Sequence, residues 1–148
     1  MKSTDSEYKP TVYLETTIVS YLVARPSRDI LSAARQAITI DWWSMYKDAY
    51  NLFVSALVLD EAESGDPEVS QRRLEVLKKI SALEIKEESL ALAGQILDSG
   101  VIPKHNAEDA LHVAICAAHN IDYLLTWNCR HLANATLRHR IESVILKH

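Results

Sequence analysis

Five residues have side chains and positions suited to holding a hard metal ion: Glu15, Glu61, Asp109, Thr126 and Asn128. Glu15 directly follows the apolar run Val12-Tyr13-Leu14. Glu61 lies in a helical stretch after Leu52-Phe53-Val54-Ser55, and Asp109 in the first turn of a helical stretch that precedes a fourth apolar run. Thr126 ends that run, and Asn128 follows two residues on. Carboxylate and amide oxygens are the ligands Mg²⁺ and Mn²⁺ prefer. Gathered in one cleft without a cation, the acids would repel, and some of their pKa values would rise. A divalent ion removes that penalty and can activate a water for attack on phosphorus.

Each position has a second explanation. Glu15 also suits the positive end of a helix that begins after it. Glu61 stands between Asp60 and Glu63, as on a solvated acidic face. Asn106 can cap a helix, with Asp109 reaching back to it in a capping box. Cap and ligand are compatible there, and Glu108 is the fallback ligand one residue earlier. Thr126 and Asn128 also suit a turn after a strand, and Asn128 is a good cap for a following helix.

Strands and helices must alternate to place these residues together. Val12–Leu14, Leu52–Ser55, Leu83–Ile85 and Asp122–Thr126 read as strands, with Ser143–Leu146 as an edge strand. Helical spacing covers residues 28 to 50, 57 to 64, 69 to 80, 89 to 98 and 107 to 119, with a short helical stretch after strand four. Gly65-Asp66-Pro67 is a strong breaker. In the helix at 69–80, Leu74, Leu77 and Ile80 face inward and Arg72, Arg73, Lys78 and Lys79 outward. The alternation predicts an α/β fold, a short parallel sheet between layers of helices. In such sheets ligands bind outside the carboxyl ends of the strands, near a switch in strand order.

Composition narrows the class. The 148 residues are 48% hydrophobic and 24% charged, a globular balance and a length suited to one domain. Three glycines, Gly65, Gly94 and Gly100, permit neither GxGxxG nor a P-loop. No GxSxG elbow supports a serine hydrolase. No apolar run reaches the roughly 20 residues of a membrane span. Residues 1–10 read as a short solvated tail without the apolar stretch of a secretory signal. Cys116 and Cys129 have no zinc spacing and fit a reducing, cytoplasmic setting. A net charge of −4 gives no long-range help in finding nucleic acid, so RNA would need a local basic patch or bound cations.

Val12-Tyr13-Leu14-Glu15-Thr16-Thr17 resembles the opening motif of PIN-domain ribonucleases. Val54-Ser55-Ala56-Leu57-Val58-Leu59-Asp60-Glu61 is similar to their second motif, Asp109-Ala110-Leu111-His112-Val113-Ala114 to the third and Leu124-Leu125-Thr126-Trp127-Asn128 to the fourth. The four occur in family order across nearly the whole chain, in the style of VapC-type toxins of toxin–antitoxin pairs. The resemblance implies a three-layer α/β/α PIN-like domain. It implies a Mg²⁺- or Mn²⁺-dependent endoribonuclease, dimeric and held by a cognate antitoxin, with Glu15, Glu61, Asp109 and Asn128 as metal ligands and Thr126 completing the site. Two departures stand out. Glu15 replaces the usual Asp and shifts the carboxylate by about 1.5 Å, one C–C bond. Asn128 replaces a common Asp and removes one charge, which lowers metal affinity. These departures define the alternative, a PIN-like module that binds RNA or a protein without cutting.

The histidines His105, His112 and His119 are seven apart. Seven helical residues rise about 10.5 Å, too far for two of them to share one zinc ion. His112 follows Asp109 by three residues, so it can orient that side chain. Trp42, Trp43 and Trp127 read as core or dimer surface, and the tandem pair cannot share one stripe, leaving one for an interface.

Overall fold

A computed structural model describes residues 8–133 and 135–146. The chain opens with β1 (Thr11–Leu14), α1 (Thr16–Val23) and α2 (Ile30–Tyr46), and a short 3₁₀ turn leads into β2 (Asn51–Ser55). There follow α3 (Ala56–Glu63), α4 (Pro67–Leu77), β3 (Ser81–Leu83), α5 (Glu87–Asp98), α6 (Ala107–Ala118), β4 (Tyr123–Leu125) and α7 (Ala135–Leu146). Local chemistry sets the boundaries. Asp29 caps α2 by accepting from Ser32 N, and Asp66 caps α4 by accepting from Glu68 N and Val69 N, with Pro67 in its first turn. Gly65, at φ +87°, takes the left-handed conformation that lets the chain turn between α3 and α4.

The four described strands are all parallel, in the order β3-β2-β1-β4. β1 is central, and its residues are nearly all buried, as a strand covered on both faces requires. One core joins β1, β2, α1 and α3 through Tyr13, Leu14, Ile18, Val54 and Val58. A second joins α5, α6 and α7 through Ile96, Ile102, Ala114 and Ile141. This is the α/β architecture expected, compatible with three α/β/α layers. The chain builds outward from β1 to β2 and β3, then returns to place β4 on the other side of β1. The switch in strand order therefore lies between β1 and β4, where a ligand crevice opens in such sheets.

Several expectations need correction. Ser143–Leu146 is the end of α7, not an edge strand. Ile141 is buried and Val144 and Ile145 pack beside it, so a 3–4 spacing, not an alternation, governs this segment. β3 ends at Leu83 and does not reach Ile85. The helical stretch expected after β4 is the first part of α7, which begins at Ala135 after a turn over 129–132. Arg73 is half-buried and bonded rather than simply solvated. Its Nε donates to Ala62 O at 3.0 Å and its Nη2 to Ser64 O at 2.5 Å, filling carbonyls at the end of α3. Arg72 is half-buried beside it. Of the predicted tail, residues 1–7 lie outside the described residues. Tyr8 donates to Asp122 at 2.5 Å and Pro10 O accepts from Asn51 N, which ties residues 8–10 to the sheet. Trp42 stacks on Tyr50, and Trp43 packs against the same core while Lys47 stands over its ring. Cys116 and Cys129 are free thiols, and burial pushes Cys116 up to about 12. Among the described residues, no helix is long and apolar enough to cross a membrane.

Candidate functional site

A cleft of about 600 Å³ lies at the carboxyl edge of the sheet, lined by Glu15, Thr16, Thr17, Asp60, Glu61, Glu108, Asp109, His112 and Asn128 among others. The acids predicted from strand ends and helix starts thus share one cavity. Among the described residues that line it, five are carboxylic acids and none is lysine or arginine. Thr126, the fifth predicted site residue, is tied to this wall through Glu15.

Glu15 sits where β1 becomes α1, and it is 5% exposed. It is the N-cap of α1. Oε2 accepts from Thr17 N at 2.7 Å, while Oε1 accepts from Thr17 Oγ1 and Thr126 Oγ1, each at 2.8 Å. The cap explanation holds, and the capping carboxylate also lines the cleft. The backbone repeats the link: Glu15 N donates to Leu125 O at 3.0 Å, so the ends of β1 and β4 are bonded at the switch point.

Glu61 is carried to the cleft by α3, whose N-cap is Ser55 at the end of β2. Its Oε1 accepts from Thr16 Oγ1 at 2.7 Å and lies 2.7 Å from His112 Nε2. Burial alone would raise its pKa, but the hydrogen bonds from His112 and Thr16 outweigh burial and hold the carboxyl below the usual range. Glu108 behaves oppositely. Hydrogen bonding with Glu61, and then that neighbour's charge, hold Glu108 above the usual range. Two acids this close share a site on unequal terms: one stays charged and the other keeps its proton longer.

Asp109 does not complete a capping box. Asn106 makes no side-chain cap, and its Oδ1 is buried without a partner among the described residues. Asp109 Oδ2 instead lies 2.9 Å from His131 Nδ1, reaching across to the turn after β4. Asn128 organises that turn by accepting from His131 N at 3.1 Å through Oδ1, and its own N–H is held by Thr126 Oγ1 at 2.9 Å. It caps a turn rather than a helix.

His112 orients an acid, but the acid is Glu61 and not Asp109. At 1% exposure it lies between Glu61 and Tyr13, whose Oη is 2.6 Å from Nδ1. His105 lies in a 3₁₀ turn and His119 follows the end of α6 with Nε2 on Glu84 O, so the three histidines are not on one helix. His131, which is 8% exposed, and Tyr13 were missed from sequence. His131 sits in a turn with no periodicity, and Tyr13 reads as one more apolar residue of a strand.

The donors of this cleft are carboxylate and amide oxygens, the chemistry that suits Mg²⁺ or Mn²⁺. Among the described residues, no three His, Cys, Asp or Glu side chains stand close enough to hold one ion between them. Mg²⁺ usually keeps several waters and is held by one or two carboxylates. The cleft fits an ion bound directly by one or two acids and through water by the rest. Comparison of the chain with family models, with curated proteins and with solved structures finds no match.

Proposed function

We propose that this chain is a Mg²⁺- or Mn²⁺-dependent endoribonuclease of the PIN-like kind, the toxin of a toxin–antitoxin pair. One observation carries the reading. Acids from three separated segments, Glu15, Glu61 and Asp109, line one cleft at the switch point of the sheet with no lysine or arginine among the described lining residues. An RNA phosphate would be repelled from such a cavity unless a cation came with it. One or two of Glu15, Glu61 and Asp109 would hold that ion directly and the rest, with Asn128, through water, with Thr126 fixing Glu15. When bound, the ion polarises a phosphate and lowers the pKa of an attacking water. The chain's own part is to keep these oxygens in place. Thr17 and Thr126 fix Glu15, Thr16 and His112 fix Glu61, and His131 fixes Asp109. A dimer, a cytoplasmic setting and an antitoxin partner belong to the same proposal.

Purified protein, freed of any partner and given Mn²⁺, is expected to cut single-stranded RNA. Asp109→Asn should keep its melting temperature within a few degrees and lose cleavage by about 100-fold, the upper end of what one metal-site change costs. Cleavage that survives this change would overturn the site. A second reading, a PIN-like module that binds without cutting, is favoured by Glu15, whose two oxygens already accept three hydrogen bonds. RNA binding that persists with no thermal response to Mn²⁺ would select it.

A further inference from the structure

We infer that Tyr13 and His112 are positioning residues for Glu61: a closed ring of hydrogen bonds through Ser55, Tyr13 and His112 fixes the face that Glu61 turns to the cleft. The inference rests on the metal-site reading above and deepens it.

The ring begins and ends on one segment. Ser55 caps α3 and Glu61 lies near its other end. From Ser55 Oγ the path runs 2.8 Å to Tyr13 Oη on β1, 2.6 Å from there to His112 Nδ1 on α6, and 2.7 Å from His112 Nε2 back to Glu61 Oε1. Ser55 and Tyr13 are fully buried and His112 nearly so. Three elements are therefore locked at both ends of α3 by groups that water does not reach.

The direction of each bond follows from the chemistry of its ends. An ionised carboxylate only accepts, so His112 Nε2 carries the hydrogen. In a neutral imidazole Nδ1 is then an acceptor, so the Tyr13 hydroxyl donates to it. The oxygen of Tyr13 is left to accept from the Ser55 hydroxyl, whose own oxygen accepts from Val58 N at 3.4 Å. Every member is satisfied in this one arrangement. Removing any member strands a buried partner, which makes such networks rigid.

A polar knot serving only the core has no need to end on a half-exposed acid. This one does, and it ends selectively. His112 and Thr16 both meet Oε1, while Oε2 accepts from neither. The ring thus determines which carboxylate oxygen turns to the cleft. Second partners of this kind typically carry 10- to 100-fold in metal affinity.

The test uses the full chain with Mn²⁺ alone as probe. Calorimetric titration should show Mn²⁺ binding weakened about 10-fold in Tyr13→Phe and at least that much in His112→Leu. His112→Gln, whose amide can accept from Tyr13 and donate to Glu61, should restore most of the affinity lost in His112→Leu. Circular dichroism and melting of the metal-free variants identify any that fail to fold, and Tyr13→Phe keeps the shape of the core. In the metal-free wild type, imidazole ¹⁵N spectra should show His112 protonated on Nε2 and bare on Nδ1. A proton on Nδ1, or equal Mn²⁺ affinity in wild type, Tyr13→Phe and His112→Leu, overturns the ring. Wild-type protein that takes up no Mn²⁺ fails the metal reading itself, and the inference with it.

Discussion

Two of the clefts in this molecule are similar in size. One, of about 600 Å³, lies at the carboxyl ends of the strands; the other, of about 540 Å³, lies between α4 and the segment after α2. The second is lined by Lys47, Asp48, Glu75 and Lys79 together with Trp43. There the signs alternate, Glu75 pairs with Lys78 at 2.6 Å in the open, and Lys47 lies 5.7 Å from the Trp43 ring centroid. Its charges are balanced by neighbours and by water. The first cleft has five acids and no lysine or arginine among its described lining residues. Threonines, a backbone N–H and two histidines bind its carboxylates: Thr17 and Thr126 meet Glu15, Thr16 and His112 meet Glu61, and His131 meets Asp109. Volume does not separate the two clefts. What separates them is where the countercharge must come from.

The largest effect expected from this difference is a response to metal. Mn²⁺ at about 100 times its dissociation constant stabilises a folded state that binds it by about 2.7 kcal/mol. For a chain of this size that is a rise of about 5–10 °C in melting temperature. The Glu61→Gln/Asp109→Asn double variant should show no rise, and a wild-type curve unmoved by Mn²⁺ would erase the distinction between the clefts.

A smaller effect belongs to Glu108. Its folded pKa is raised, so its contribution to stability is present at low pH and is lost as pH rises through the folded value. Glu61, held low, contributes in the opposite sense and loses its share only as pH falls through its own folded value. In chelator at neutral pH, Glu108→Gln should therefore melt about 1–3 °C higher than wild type, and the advantage should shrink as the buffer is acidified through the carboxylate range. Melting curves at a series of pH values test this, and an unchanged difference at every pH would contradict the like-charge contact. The smallest effect is expected in the balanced cleft. Glu75→Gln removes one partner of an exposed pair and should shift stability by less than about 0.5 kcal/mol, with the Mn²⁺ response intact.

The acids of the cleft were legible because their positions are grammatical. Glu15 follows an apolar run, Asp109 opens an amphipathic helix, and alternation of strand and helix says that both ends meet at one edge of a sheet. Their partners were not legible. Nothing near Asp109 in sequence announces His131, because the bond crosses between α6 and a turn that only the return of β4 brings close. Sequence proximity therefore points Asp109 to Asn106, a partner it does not use. His112 was placed beside Asp109 by helical spacing. The fold instead turns it toward Glu61 on α3, 51 residues away along the chain. Ser143–Leu146 failed for a different reason: four apolar-rich residues fit a strand and a helix equally until packing against α5 decides.

Glu15 and Thr126 are 111 positions apart, and β1 cannot gain its second neighbour before β4 exists. At ribosomal speeds of about 5–20 residues per second, roughly 6–22 seconds separate the synthesis of the two halves of this contact. An unfinished polypeptide can build β1 against β2 during that interval, but it has neither the far wall of the cavity nor the histidine that steadies Asp109. Assembly of the pocket therefore waits until the segment through His131 has been made.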